Sequence, residues 1–143
     1  IGYLVLVEDE EIVYFVRHRT VRHNGFQLGR QVLVWRDKDS TASGGFAAHV
    51  FFKVLLPKYR ALVADQEQTD YGQRFWIVMI GLAFQQGKYV WFLDRRSSPN
   101  KLIRLHDDHD VAKYKADLWG KTQAHKRTFV VISENELVLR EKK

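Results

Sequence analysis

The sequence predicts an α/β fold, a single domain with a mixed sheet flanked by helices. Three observations carry this expectation. Short strand-like apolar runs alternate with stretches whose apolar residues recur at three- and four-residue steps. Strong turn formers, Asn24-Gly25, Gly44-Gly45 and Ser97-Ser98-Pro99-Asn100, fall between those runs. The length of 143 residues suits one core.

Gly2 to Val7 and Glu11 to Val16 are apolar runs around the acidic cluster Glu8-Asp9-Glu10. They read as two antiparallel strands joined by a tight turn. Asn24-Gly25 leads into a third strand, Phe26 to Arg36. Its run Val32-Leu33-Val34-Trp35 is continuously apolar, the pattern of a strand buried on both faces. Asp37 to Gly45 is polar and reads as a loop. Phe46, Ala47, Val50, Phe51, Val54 and Leu55 then form a helical stripe, stopped near Pro57.

Ala61 to Ala64 is a short strand. Thr69 or Asp70 can cap a second helix through Phe75, Trp76, Met79, Ile80, Ala83 and Phe84, ended by Gly87. Tyr89 to Leu93 and Leu102 to Leu105 are further strands. Asp108 or Asp110 can cap a third helix to about Trp119, and Phe129 to Ile132 is the last strand. The order β-β-β-loop-α-β-α-β-β-α-β implies a mixed sheet with right-handed crossovers.

Composition narrows the function classes. Hydrophobic residues make up 45% and charged residues 28%, which excludes wholesale disorder. Without Cys, thiol nucleophiles, disulfide frameworks, Fe–S clusters and Cys-ligated zinc are excluded. The longest apolar run, Phe75 to Phe84, is well short of the ~20 residues of a membrane span. A soluble, cytoplasmic protein without membrane contact is expected. The net charge of +6 comes largely from three basic clusters. These are Arg17-His18-Arg19 with Arg22-His23, Arg95-Arg96 with Lys101 and Arg104, and His125-Lys126-Arg127. Placed at strand ends and loops, with Tyr14, Trp91 or Trp119 to stack on bases, they make nucleic acid a candidate partner.

The element order resembles the acetyl-CoA-dependent N-acyltransferase superfamily, the GNAT fold, over Gly2 to Leu105. There an antiparallel hairpin leads to a central strand, a glycine-containing loop and a helix. Gly45-Phe46-Ala47 is similar to the Gly-x-Ala end of the family's pyrophosphate loop, while Ala42 stands at its Arg/Gln position. The resemblance implies acetyl-CoA as cofactor, held by Leu33, Val34 and Trp35 of the central strand and by Ser43, Gly44, Gly45, Phe46 and Ala47. It also implies a cofactor cleft where the central strand splays from the next one, and acyl transfer to an amine on a protein or a small molecule. The family's general acid is a Tyr about four residues before the Gly that ends the second helix. Counting back from Gly87 gives Ala83, with Phe84 beside it, so no catalytic residue is assigned.

A second string, Val63-Ala64-Asp65-x-x-Gln68-Thr69-x-x-Gly72-x-x-x-Trp76, resembles GNAT-like proteins of phages and plasmids. That implies a mobile-element origin. It opens the alternative of a non-catalytic virion or interaction component, in the host cytoplasm or the virion.

Other chemistry has plainer readings. His106-Asp107-Asp108-His109-Asp110 could bind a divalent ion, but acidic residues ahead of a helix are expected for capping. His49 can face a cofactor or solvent. Ser40, Thr41, Ser43 and Ser133 lack a Gly-x-Ser-x-Gly setting. Glu10 and Glu11 read as solvated turn residues.

Overall fold

Two residues with positive φ, Asp9 at 51° and Glu10 at 67°, close the first hairpin between β1 (Gly2–Glu8) and β2 (Glu11–His23). Positive φ at both central positions is the type I′ geometry, whose twist matches that of paired strands. The structure is a computed structural model that describes residues 2–23, 26–37, 39, 41–64, 70–96, 100–115 and 128–137. The chain forms two compact units, Ile1–Leu62 and Val63–Lys143.

In the first unit β2 pairs antiparallel with β1 and with β3 (Phe26–Arg36). His23 pairs with Phe26, while Asn24-Gly25 between them lies outside the described residues. β2 is 13 residues long and runs well past the expected Val16. The Arg17-His18-Arg19 cluster is therefore inside a strand, not at its end. Alternation sends its members to opposite faces, and His18 is buried. Two irregularities re-aim side chains. Val13 is the extra residue on β2 between the pairs Leu6↔Tyr14 and Val7↔Ile12. Val32 is the extra residue on β3 between Arg17↔Leu33 and His18↔Gln31.

The helix after β3 starts earlier and runs further than its apolar stripe suggests. α1 spans Thr41–His49, a π-helical segment spans Val50–Leu55, and α2 spans Leu56–Tyr59. Ser43, Gly44 and Gly45 therefore lie within the helix, not in a loop ahead of it. Pro57 does not stop the helix but sits at the start of α2. Proline lacks an N–H and crowds the carbonyl four residues back. The wider π winding just before it, with Leu56 N–H donating to Phe51 O, relieves that crowding. Arg60, at φ 68°, ends the helix by donating its N–H to Leu56 O at 2.8 Å. β4 (Ala61–Val63) follows and pairs parallel to β3 through Gly29↔Leu62, so the sheet is mixed.

The helical segment covers the sheet face that carries Tyr14, Val16 and His18. Phe46 meets Tyr14 edge-on, and Tyr59 meets His18. Val34, paired with Val16, shares this face, whereas Trp35, paired with Phe15, is on the opposite one. Trp35 is 48% exposed. The expectation that Val32 to Trp35 is buried on both faces is thus corrected for Trp35. No layer of the described first unit covers that end of the sheet.

In the second unit α3 (Asp70–Gln85) buries Trp76, Met79, Ile80 and Ala83, the spacing of one helical face. Its end is a Schellman motif. Gly87, at φ 71°, donates to Phe84 O, and Lys88 donates to Ala83 O. β5 (Tyr89–Asp94) pairs antiparallel with both β6 (Lys101–Leu105) and β7 (Thr128–Ser133). Every residue of β7 is buried, and Ala64 N–H donates to Val130 O. α4 (Asp108–Lys113) is capped by Asp107, not by Asp108 or Asp110. The rest of the expected third helix, to Trp119, falls largely outside the described residues. No described helix is long and apolar enough to cross a membrane.

Candidate functional site

The strongest candidate is the C-terminal half of β3 together with the start of α1. A short connection turns the chain from Arg36 into the helix at Thr41. Asp37 N–H donates to Val13 O at 2.9 Å, and Asp39 N–H donates to Asp37 Oδ1 at 3.0 Å. These bonds fix the turn against β2. Among the described residues β3 meets β4 at Gly29↔Leu62, and β3 then continues to Arg36. Six residues of strand from Gly29 to Trp35 rise about 20 Å. This stretch ends beside the N-terminus of α1, where the helix dipole favours an anion.

The eight residues expected to hold a cofactor divide within this region. Leu33, Val34 and Trp35 follow the Val32 bulge, with Val34 half-buried toward the helix and Trp35 outward. The backbone of Ser43 and Gly44 is in the first turns of α1. Gly45 is exposed, and a Cβ there would meet nothing within 4 Å. Phe46 is half-buried, edge-on to Tyr14 and stacked on His49 at 6.0 Å. Ala47 is buried. Phe46 and Ala47 thus serve the core, and of the eight only Gly45 and outward Trp35 are exposed among those whose side-chain burial is described. The carboxylates of Asp37 and Asp39 precede the helix. They favour its dipole and oppose a phosphate at the same end.

The position matching the family's acid holds Ala83, fully buried, and Phe84, half-buried. Neither moves a proton. Tyr71 is in the first turn of α3, and its side chain is outside the described residues.

A pair that sequence reading did not single out lies at the other end of β3. His18 Nδ1 and Tyr59 OH are 2.6 Å apart, with the rings edge to face. Tyr59 donates when His18 is neutral with its proton on Nε2. Burial holds the imidazole below its ordinary pKa, and the ammonium of Lys58 adds to that. Burial raises the Tyr59 phenol. Two glycines make room. A Cβ on Gly2 would strike the His18 ring, and one on Gly29 would strike the Tyr59 ring. The only sequence trace was an unexplained Gly inside a strand pattern, which marks a close approach. This pair fastens the helix to the sheet and is remote from the β3–α1 end.

The remaining candidates have structural duties. In the acidic string, Asp107 Oδ1 accepts from Asp110 N–H at 2.9 Å, and Asp110 Oδ2 accepts from His106 N–H at 2.7 Å. This is a reciprocal cap, and no metal-binding group of three occurs among the described residues. Ser133 Oγ accepts from Trp91 Nε1–H and donates to Asn135 O, so it is a buried bridge. Arg96 is bound to Asp94 at 2.9 Å, which holds that carboxyl below the usual range against the opposing effect of burial. Arg104 lies over the Tyr89 ring at 4.6 Å, and Arg17 lies 5.9 Å from that of Tyr3. The first basic cluster is divided between two faces and the second is engaged locally. His125-Lys126-Arg127 is outside the described residues.

Comparisons with protein-family models, with curated proteins and with solved structures find no match.

Proposed function

We propose that the chain is an acetyltransferase-like domain that binds acetyl-CoA. It would hold the cofactor along the C-terminal half of β3 and at the start of α1, for transfer to an amine of a protein or a small molecule. The observation that carries this reading is the short parallel contact of β3 with β4 at Gly29↔Leu62, beyond which β3 runs on to the α1 N-terminus. An extended pantetheine suits a strand edge, and its phosphates suit a helix N-terminus. Acetyl-CoA supplies an activated thioester. The chain's own part is binding and orientation, because proximity lowers the barrier without a positioned acid.

A second reading is a non-catalytic interaction component of a phage or mobile element, with nucleic acid among its partners. Its support is the buried Ala83 where the family's acid stands.

Calorimetry with acetyl-CoA separates the two. The first reading expects micromolar binding that is lost in Gly45→Trp, since a side chain there fills open space without disturbing the core. No heat at millimolar cofactor refutes it.

A further inference from the structure

The outer face of the β1–β2–β3 sheet carries a row of apolar side chains that no described residue of the first unit covers. Tyr3, Val5 and Val7 of β1 are exposed, as are Ile12 of β2 and Trp35 of β3. The ladder groups them: Tyr3 pairs with Arg17, Val5 with Phe15, Phe15 with Trp35, and Val7 with Ile12. With Tyr3 58% and Trp35 48% exposed, this patch offers roughly 500 Å² of apolar side chain. That is toward the upper end of the largest apolar patch an ordinary monomer carries, a size at which such patches often serve binding.

The patch has an electrical polarity along the strands. Glu8, Asp9, Glu10 and Glu11 lie at the turn end. Arg17 and exposed Arg19 lie toward the other end, on the same strand face as Phe15. Because Val13 is an extra residue, Glu8 and Glu11 alternate to the helix-side face, and it is the Asp9-Glu10 turn that stands about as far along the ladder from the Val5–Phe15 row as Arg19 does on the other side. A two-fold axis through the Val5–Phe15 row, perpendicular to the strands, therefore sets the acidic end of one sheet over the basic end of another.

We propose that this face is a homodimer interface, in which two copies pack sheet on sheet with their strands antiparallel. Self-complementary apolar surface and reversed charge are what a two-fold contact requires. Two such patches bury about 1,000 Å², the lower edge of a specific interface, so the dimer forms in the micromolar range. A parallel arrangement would oppose acid to acid. Nucleic acid is a poorer occupant, because Val5, Val7 and Ile12 offer no stacking surface and the acidic turn repels phosphate. The proposal does not depend on the acyl-CoA reading.

The test is sedimentation velocity on the full chain from micromolar to sub-millimolar concentration. The expected result is a concentration-dependent shift to twice the monomer mass. Val5→Glu and, independently, Ile12→Lys should weaken the dimer at least tenfold while leaving the thermal midpoint of the monomer in place. Glu10→Arg and Arg19→Glu should each weaken it, and the double variant should restore it. A chain that stays monomeric throughout overturns the proposal. So does a dimer indifferent to Val5→Glu and Ile12→Lys, or a double variant no better than either single one. Binding of a single-stranded oligonucleotide to the monomer, lost in Trp35→Ala, would assign the face to nucleic acid and likewise overturn it.

Discussion

Replacing Gly29 with Ala tests the packing of helix on sheet in the first unit. Gly29 sits in β3, paired with Thr20 and Leu62. A Cβ there would fall well inside contact of Cγ and Cδ2 of Tyr59, and 2.8 Å from Leu62 Cδ2. The Leu62 methyl can swing away. The near end of the Tyr59 ring cannot, because Tyr59 is the last residue of α2 and Arg60 is pinned in the left-handed region. The helix end must lift, which costs about 1–3 kcal/mol as overpacking. The lift also draws Tyr59 OH from His18 Nδ1, and the lost bond adds about 0.5–1.5 kcal/mol. The expected destabilisation is about 1.5–4.5 kcal/mol, a large share of a typical ~5–15 kcal/mol. Urea unfolding followed by far-UV circular dichroism reads it as a fall in midpoint of about 1–2 M at unchanged slope. In a Tyr59→Ala background the same change should cost less than about 0.5 kcal/mol, since the obstacle is gone. An equal cost in both backgrounds, or a negligible cost in the wild type, would refute the account.

Two further predictions concern the same unit. His18 has a lowered pKa when folded, so below its ordinary value of about 6.5 the unfolded chain binds the extra proton first. Its contribution is complete above that pH and is lost as pH falls toward the folded value. His18→Gln, which keeps an acceptor for Tyr59, should flatten this acid limb in urea midpoints compared between pH 5 and 8; an unchanged limb would show that other groups set it. Glu10→Gly relieves a left-handed residue in the first turn and should stabilise by about 0.5–1 kcal/mol in thermal unfolding. A loss of stability there would contradict the type I′ assignment.

The strand and helix order was legible because periodicity and turn chemistry are local. The first hairpin, the long α3 and its Gly87 stop all follow from residues within a few positions of one another. The helix start at Thr41 was not legible, since Ser43, Gly44 and Gly45 have weak helix propensity and tertiary packing of Phe46 and Ala47 overrides it. The passage of the helix through Pro57 depends on a π segment that no propensity anticipates. Of the candidate site, the glycine shoulder was visible. The outward face of Trp35 was not, because a continuous apolar run carries no alternation from which to choose a side.

By itself the sequence determined the α/β class, the number and order of most elements, and the absence of cysteine chemistry. Composition and short-range pattern suffice for these. Only the tertiary structure decided that His18 meets Tyr59 across 41 residues, that Gly2 and Gly29 exist to admit those rings, and that the Arg17-His18-Arg19 cluster is split between two faces. It also decided that Val5, Val7, Ile12 and Trp35 form one bare surface. Each depends on strand register, and a shift of one residue would exchange the buried and exposed sets.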